Sequence, residues 1–117
     1  MITIVDAIKA LDADAQVVIN GEPSNQAEYE ADVKFVSGAD ENGSAIFKDT
    51  QDFTWAEVSA KLTELQTAYD NNQYQRDRAS AYPSIQDQLD MQYWDSVNNT
   101  TTWKDKIAEV KADNPKP

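Results

Sequence analysis

The sequence predicts an α+β fold, with a small mixed module over residues 1–53 and a helical region over residues 54–117. Two observations support this division. Segments of β-branched and alternating residues lie in the first part, whereas helix-capping signals recur in the second. The charge also differs, because residues 1–53 carry 11 acidic and 3 basic side chains (net −8) and residues 54–117 carry 10 and 7 (net −3). We therefore expect two subregions.

The first predicted element is a short amphipathic helix over residues 4–12. Val5, Ile8 and Leu11 recur at the spacing of one helix face. Three predicted strands follow, and a helix has to cover them because an isolated hairpin is only marginally stable in water. The first strand, residues 16–20, is β-branched and ends in an Asn-Gly turn. The second, residues 32–37, alternates acidic, apolar and basic residues, and the third, residues 44–49, follows a Gly-containing loop.

A capping box begins the helical region. Thr54 can accept a hydrogen bond from an amide of the first turn, and Glu57 can reach back to Thr54. We expect a long helix over residues 54–80, whose later half, residues 71–78, is polar on every side and therefore either bridges solvent or is completed by a partner. The helix carries an apolar seam made of Trp55, Val58, Leu62, Leu65 and Tyr69. This seam either packs on the N-terminal module or forms an intermolecular contact, and both can be true of different turns.

Two shorter helices are predicted after Pro83, which breaks the long helix because the residue before a proline is disfavoured in the α region. Residues 84–97 begin at a Ser cap, and residues 102–112 begin at a Thr cap. The apolar stripe of the first helix is Ile85, Leu89, Tyr93 and Val97, widened by Met91 and Trp94, and that of the second is Trp103, Ile107 and Val110.

Composition excludes several classes of function. The 117-residue chain has a net charge of −11 and no His or Cys. It therefore lacks the basic footprint of non-specific nucleic-acid or anionic-membrane binding, and it lacks the residues of Ser-His-Asp catalysis, disulfides and ordinary zinc sites. No apolar segment approaches the roughly 20 residues of a membrane span, and the first residues lack the pattern of a signal peptide. We expect no cofactor, no metal and no enzymatic activity.

The charged residues on and just before the predicted helix over residues 84–97 have ordinary structural interpretations. Asp87 and Asp90 are one turn apart on an amphipathic helix, where carboxylates typically form the polar face and favour the helix N-terminus. Arg76 and Arg78 are the only arginines, and we expect them to pair with Asp77, Asp87 or Asp90. A small anion site and stacking on an aromatic ring are the less favoured alternatives. Catalysis by paired carboxylates is the less favoured interpretation.

A resemblance to phage proteins covers most of the chain. Residues 82–98 (YPSIQDQLDMQYWDSVN), followed by residues 102–107 and the final Asn-Pro-Lys-Pro, resemble a segment that recurs in small tailed-phage proteins. The first half is similar to XkdW-like small phage tail proteins, which begin with a short helix containing Asp/Glu-Ala-Ile, as Asp6–Ile8 does. Strands and a Thr-x-x-Glu helix follow in those proteins. Residues 21–52 depart most from that pattern.

The resemblance implies a virion protein of the tail or tail-fibre region that acts by protein–protein assembly. The implied partners are tail, fibre or baseplate proteins, and the chain is expected as a homo-oligomer or in several copies per particle. The implied location is the virion, and the host cytoplasm during assembly. Two alternatives stay open: a fibre-assembly chaperone absent from the mature particle, and an acidic inhibitor of a host protein. The predicted interface residues are Trp55, Leu62, Leu65, Tyr69, Arg76, Tyr82, Met91, Tyr93 and Trp94.

Overall fold

A computed structural model describes residues 1–117 and confirms the α+β fold class. It divides into two compact units, residues 1–68 and 69–117, here called the N-terminal unit and the C-terminal unit. The elements in chain order are α1 (Ile4–Leu11), β1 (Val17–Ile19), α2 (Gln26–Asp32), β2 (Val33–Ala39), β3 (Ala45–Phe47), α3 (Trp55–Asn71), α4 (Gln73–Ala81), α5 (Ile85–Asn98) and α6 (Thr102–Asp113).

Helix α1 forms where its caps and its apolar spacing agree. Thr3 accepts a hydrogen bond from the Asp6 amide, and the Asp6 carboxylate accepts from the Thr3 amide at 2.7 Å, which completes a capping box. Ile4, Ala7 and Ile8 lie on one face and are fully buried. The predicted helix over residues 4–12 is therefore present.

The three predicted strands form an antiparallel sheet in the order β1-β2-β3. Val17 pairs with Phe35 and Ile19 with Val33, so these four side chains share the face that points to the core. The pairing of β2 with β3 is irregular between Val36 and Gly38, and β3 is exposed along its whole length. Alternation in β2 thus separates a buried face from a solvent face, as its sequence pattern predicts.

Helix α2 has no counterpart in the sequence prediction, which placed no element between residues 21 and 31. Asn25 caps this helix by accepting a hydrogen bond from the Glu28 amide at 2.9 Å. Tyr29 is its only buried side chain, and its hydroxyl donates to the Phe53 carbonyl at 2.7 Å. A seven-residue helix with a single buried residue shows no apolar periodicity, and so the pattern did not reveal it.

The first turns of α3 complete the core of the N-terminal unit. Val58 is fully buried in that core, and Trp55, Leu62 and Leu65 pack against it half-buried. The sequence division between residues 53 and 54 followed the change of secondary structure. The compact unit extends to Ala68 because the apolar seam of α3, apart from Tyr69, packs in the N-terminal core.

The predicted long helix over residues 54–80 appears as α3 and α4, separated by Asn72 alone. Asn72 has φ −95° and ψ 2°, outside the α region. Its amide donates to the Tyr69 carbonyl at 3.2 Å, and its own carbonyl accepts from the Gln75 amide at 3.1 Å. These three-residue hydrogen bonds tighten the turn and interrupt the regular helix.

In the C-terminal unit, α4 and α5 both contact α6. The Arg78 guanidinium on α4 donates to the carbonyls of Asn114 and Lys111, at 2.8 and 3.4 Å, and its carbon lies 4.8 Å from the centre of the Tyr74 ring. Val110 on α6 is the one buried apolar residue of this unit. Polar contacts at helix ends therefore hold together helices that share little apolar core.

Candidate protein interface on α5

Helix α5 has well-defined ends. Pro83 precedes it, and the Ser84 hydroxyl accepts a hydrogen bond from the Asp87 amide at 3.1 Å. At the other end Asn99 adopts the left-handed conformation (φ 53°, ψ 50°), and the Thr100 amide donates to the Asp95 carbonyl at 3.0 Å. The local sequence thus fixes both the length of α5 and the reversal of the chain into α6.

One side of α5 is occupied by α6. The Gln88 side-chain oxygen accepts a hydrogen bond from the Trp103 indole N–H at 3.1 Å. The Asp95 carboxylate accepts from the Trp103 and Thr102 amides, at 2.8 and 3.0 Å, and so caps the first turn of α6. This side of the helix is therefore committed to polar contacts within the C-terminal unit.

Another side of α5 carries a row of large apolar side chains that nothing in the chain covers. The row follows an i, i+4 spacing, and one further aromatic residue widens it. Each of these side chains is between 56 and 69% exposed. We call this surface the α5 stripe; its members are Ile85, Leu89, Tyr93, Trp94 and Val97. The Tyr93 and Trp94 rings pack edge to face, with their centres 5.0 Å apart.

An open groove of about 460 Å³ borders the Trp94 side of the stripe. Asp87 and Asp90 line it, together with Asp95, which already caps α6. Hydrogen bonds from the Thr100 hydroxyl first, and then from the Trp103 and Thr102 amides, hold the pKa of Asp95 below its usual value. No group of three or more acidic residues is arranged to hold a metal ion, so the groove shows an acidic rim and no metal cluster.

The predicted interface residues separate into four sets, one of which is the pair Tyr69 and Arg76. Trp55, Leu62 and Leu65 pack against the N-terminal core and are half-buried there. Tyr82 and Met91 are half-buried in the C-terminal unit, at the end of α4 and within α5. Of the predicted set, the structure brings only Tyr93 and Trp94 together on an open surface.

Tyr69 and Arg76 form a contact with each other. The Arg76 guanidinium lies 3.7 Å from the centre of the Tyr69 ring and donates to the Tyr69 carbonyl at 2.8 Å. The expected pairing of the two arginines with Asp77, Asp87 or Asp90 is wrong, because both guanidiniums bind backbone carbonyls and aromatic rings instead.

The sequence interpretation left Ile85, Leu89 and Val97 out of the interface, although it recognised their stripe. The signal that identifies them is the i, i+4 spacing itself, continued over four helical positions around Tyr93. Periodicity marks these residues as one apolar face. Only the fold shows that α6 packs on a different face of α5.

Comparisons of the chain with protein-family models, with curated proteins and with solved structures find no match. None of its helices has the length and apolar character needed to cross a membrane.

Proposed function

We propose that this chain is a virion-associated protein of a phage tail or tail-fibre region, and that it acts by assembling with other proteins through the α5 stripe. The observation that carries the proposal is the exposure of Ile85, Leu89, Tyr93, Trp94 and Val97 on one helix. The proposal assigns the chain no catalytic role and no cofactor.

The size and chemistry of the stripe support a binding role. Large apolar side chains carry on the order of 200 Å² each, so the exposed part of the five amounts to roughly 600 Å². Contiguous apolar patches of that size are at the upper end for monomeric proteins and mark interaction sites. Tyr and Trp are also the residues that most often dominate binding energy at interfaces. The stripe contains one of each, Tyr93 and Trp94.

The phage assignment depends on the resemblance of residues 82–98 to small tailed-phage proteins. That segment coincides with α5 and its N-terminal cap, so the residues that carry the resemblance also carry the exposed stripe. A surface that virion assembly requires is a physical reason for such side chains to stay exposed in the isolated chain. The partners we propose are tail, fibre or baseplate proteins, met in the host cytoplasm and retained in the virion.

Mass spectrometry of purified particles of the encoding phage tests this proposal, with the copy number measured against a major structural protein. We expect the chain in the particles, and we expect Leu89→Gln to reduce its incorporation while Ala108→Gln, which places the same side chain on an exposed site of α6, does not. Recovery from assembling tails but not from mature particles would identify a fibre-assembly chaperone instead. Absence from both would remove the proposal.

A further inference from the structure

We infer that the partner of the α5 stripe is the same stripe on a second copy of this chain, related to the first by a two-fold axis. The inference rests on the proposed function in one respect, that the stripe serves assembly. It adds which molecule covers the stripe. Three properties of the described residues support it: the geometry of the stripe, its area, and the distribution of charge along the chain.

The geometry of the stripe is self-complementary. Ile85, Leu89, Tyr93 and Val97 form a single ridge at i, i+4 spacing. Two such ridges interlock when the helices cross at about −50°, the commonest arrangement of packed helices. A two-fold axis that crosses the ridge midway between Leu89 and Tyr93 brings Leu89 of one copy against Tyr93 of the other. Ile85 and Val97 then form the outer contacts, so one patch serves both subunits.

The stripe offers most of the area of a standard protein interface. A standard interface buries about 800 Å² on each partner, and the five stripe side chains, at on the order of 200 Å² each, already offer roughly 600 Å² of exposed surface. The polar residues that border the stripe on α5 supply the remainder as a rim. Most of the area of a standard dimer interface is therefore already present as apolar surface on α5.

The charge distribution makes the C-terminal unit the part of the chain where self-association meets the least electrostatic repulsion. The N-terminal unit carries 13 acidic and 4 basic side chains, a net charge of −9. The C-terminal unit carries 8 acidic and 6 basic side chains, a net charge of −2. The stripe thus lies on the nearly neutral unit and contains no charged residue. Three acidic residues, Asp87, Asp90 and Asp95, line the groove beside Trp94.

Sedimentation and light scattering of the purified full-length chain test the inference over a range of concentrations. We expect a dimer at about 100 µM or below. Leu89→Gln and Tyr93→Gln should each raise the dissociation constant at least about tenfold, because they change the central contacts. Ala108→Gln should leave it unchanged. Circular dichroism checks that each variant keeps its helices, and a wild-type chain that stays monomeric overturns the inference.

Ionic strength separates a second copy from a foreign basic partner. In a two-fold dimer the acidic flanks of both copies come closer, and salt screens their repulsion. The dimer dissociation constant should therefore fall as salt rises. Binding to a chain with a Lys- or Arg-rich rim would weaken with salt, and a purified chain that is monomeric alone but binds such a rim overturns the inference.

Crosslinking tests the direction of the pairing, and the absence of native cysteine makes the chain suitable for it. A mixture of Leu89→Cys and Tyr93→Cys chains should form a mixed disulfide in preference to either homodimer, because the two-fold axis brings these positions together. Preferential Leu89→Cys homodimers would overturn the two-fold arrangement. If the chain is a monomer and its incorporation into particles still depends on Leu89, the inference is wrong and the proposed function stands. If the chain is a dimer and is absent from particles, the inference stands and the proposed function is wrong.

Discussion

The two units of this chain treat their apolar side chains in opposite ways. The N-terminal unit contributes eight of the nine buried apolar residues, whereas the C-terminal unit contributes Val110 alone. Five of the large apolar side chains that stay exposed are on α5, in the C-terminal unit. Burying a large apolar side chain stabilises a fold by about 1.5–3 kcal/mol. The first unit obtains this stabilisation internally, whereas the second leaves these five side chains of α5 in solvent.

The polar contacts of the C-terminal unit explain how its helices are held without a large core. Asp95 caps the start of α6, Arg78 binds the carbonyls at its end, and Gln88 accepts from the Trp103 indole. Such contacts fix geometry more than they add stability, because each replaces a hydrogen bond to water. A helix held in place by its ends can present one whole face to another molecule. That arrangement suits an assembly surface.

The largest expected effect comes from emptying the N-terminal core. Phe35 is 1% exposed and packs edge to face with Phe53, with ring centres 6.1 Å apart. Phe35→Ala should lower the free energy of unfolding by about 3–5 kcal/mol, because it removes buried surface and leaves a cavity. Urea unfolding followed by circular dichroism measures this loss.

The matched variant on the other unit is Leu89→Ala, which also truncates a large apolar side chain. We expect it to change the free energy of unfolding by less than about 0.5 kcal/mol when the chain is dilute enough to be monomeric, because the side chain is exposed there. Equal losses for Phe35→Ala and Leu89→Ala would mean that α5 is covered within one chain, which would contradict the comparison between the units.

The sequence predicts those features of the fold that depend on periodicity. Helix α1 and the strands follow from apolar spacing and β-branched residues, and α5 follows from its Ser84 cap and its stripe. Helix α6 follows from its stripe, but its predicted Thr102 cap is wrong, because Thr102 is already helical and Asp95 caps the first turn. Helix α2 escaped because Tyr29 is its only buried residue. The Arg78 contacts were out of reach because the carbonyls it binds lie 33 and 36 residues further along the chain. A backbone carbonyl carries no side-chain signal in the sequence.

The candidate site shows the same division between local and non-local information. The spacing of Ile85, Leu89, Tyr93 and Val97 predicts that α5 has an apolar face. It does not predict what covers that face, because the answer depends on where α6 packs. In the structure, Gln88 and Asp95 make the contacts with α6, and the apolar row is left in solvent. The assignment of such a row to a core or to an interface therefore needs the tertiary arrangement.

A smaller effect is expected at the arginine that joins α4 to the end of α6. Arg78→Lys replaces a planar group that reaches two carbonyls and stacks on Tyr74 with a single ammonium. We expect the free energy of unfolding to fall by about 1.5 kcal/mol, the usual contribution of a hydrogen bond to a charged group. Amide hydrogen exchange over residues 102–113 should speed up. Arg76→Lys is the control, because the Arg76 guanidinium binds Tyr69 and Gln73, whereas that of Arg78 binds the end of α6. Faster exchange of α6 in both variants would contradict a specific role for Arg78.

The smallest effect concerns one hydroxyl group in the N-terminal core and depends on pH. Burial first, and then the charges of Asp52 and Glu57, raise the pKa of Tyr29 to about 12 from an unperturbed value of 10.0. The unfolded chain therefore ionises at this site more readily than the folded one. The contribution of Tyr29 to stability should be complete below pH 10 and decline as the pH rises from 10 towards 12.

Tyr29→Phe removes both the titrating group and its hydrogen bond to the Phe53 carbonyl. We expect a loss of about 1 kcal/mol at neutral pH, together with a weaker decline in stability between pH 10 and 12 than the unchanged chain shows. Urea midpoints measured at neutral pH and near pH 11 give both quantities. The matched variant on α5 is Tyr93→Phe, whose hydroxyl lies on the exposed stripe, and its unfolding at neutral pH should match that of the unchanged chain. If Tyr29→Phe kept the full alkaline decline, the buried phenol would not be its source. The alkaline loss would then belong to surface charge and not to the core that distinguishes the N-terminal unit.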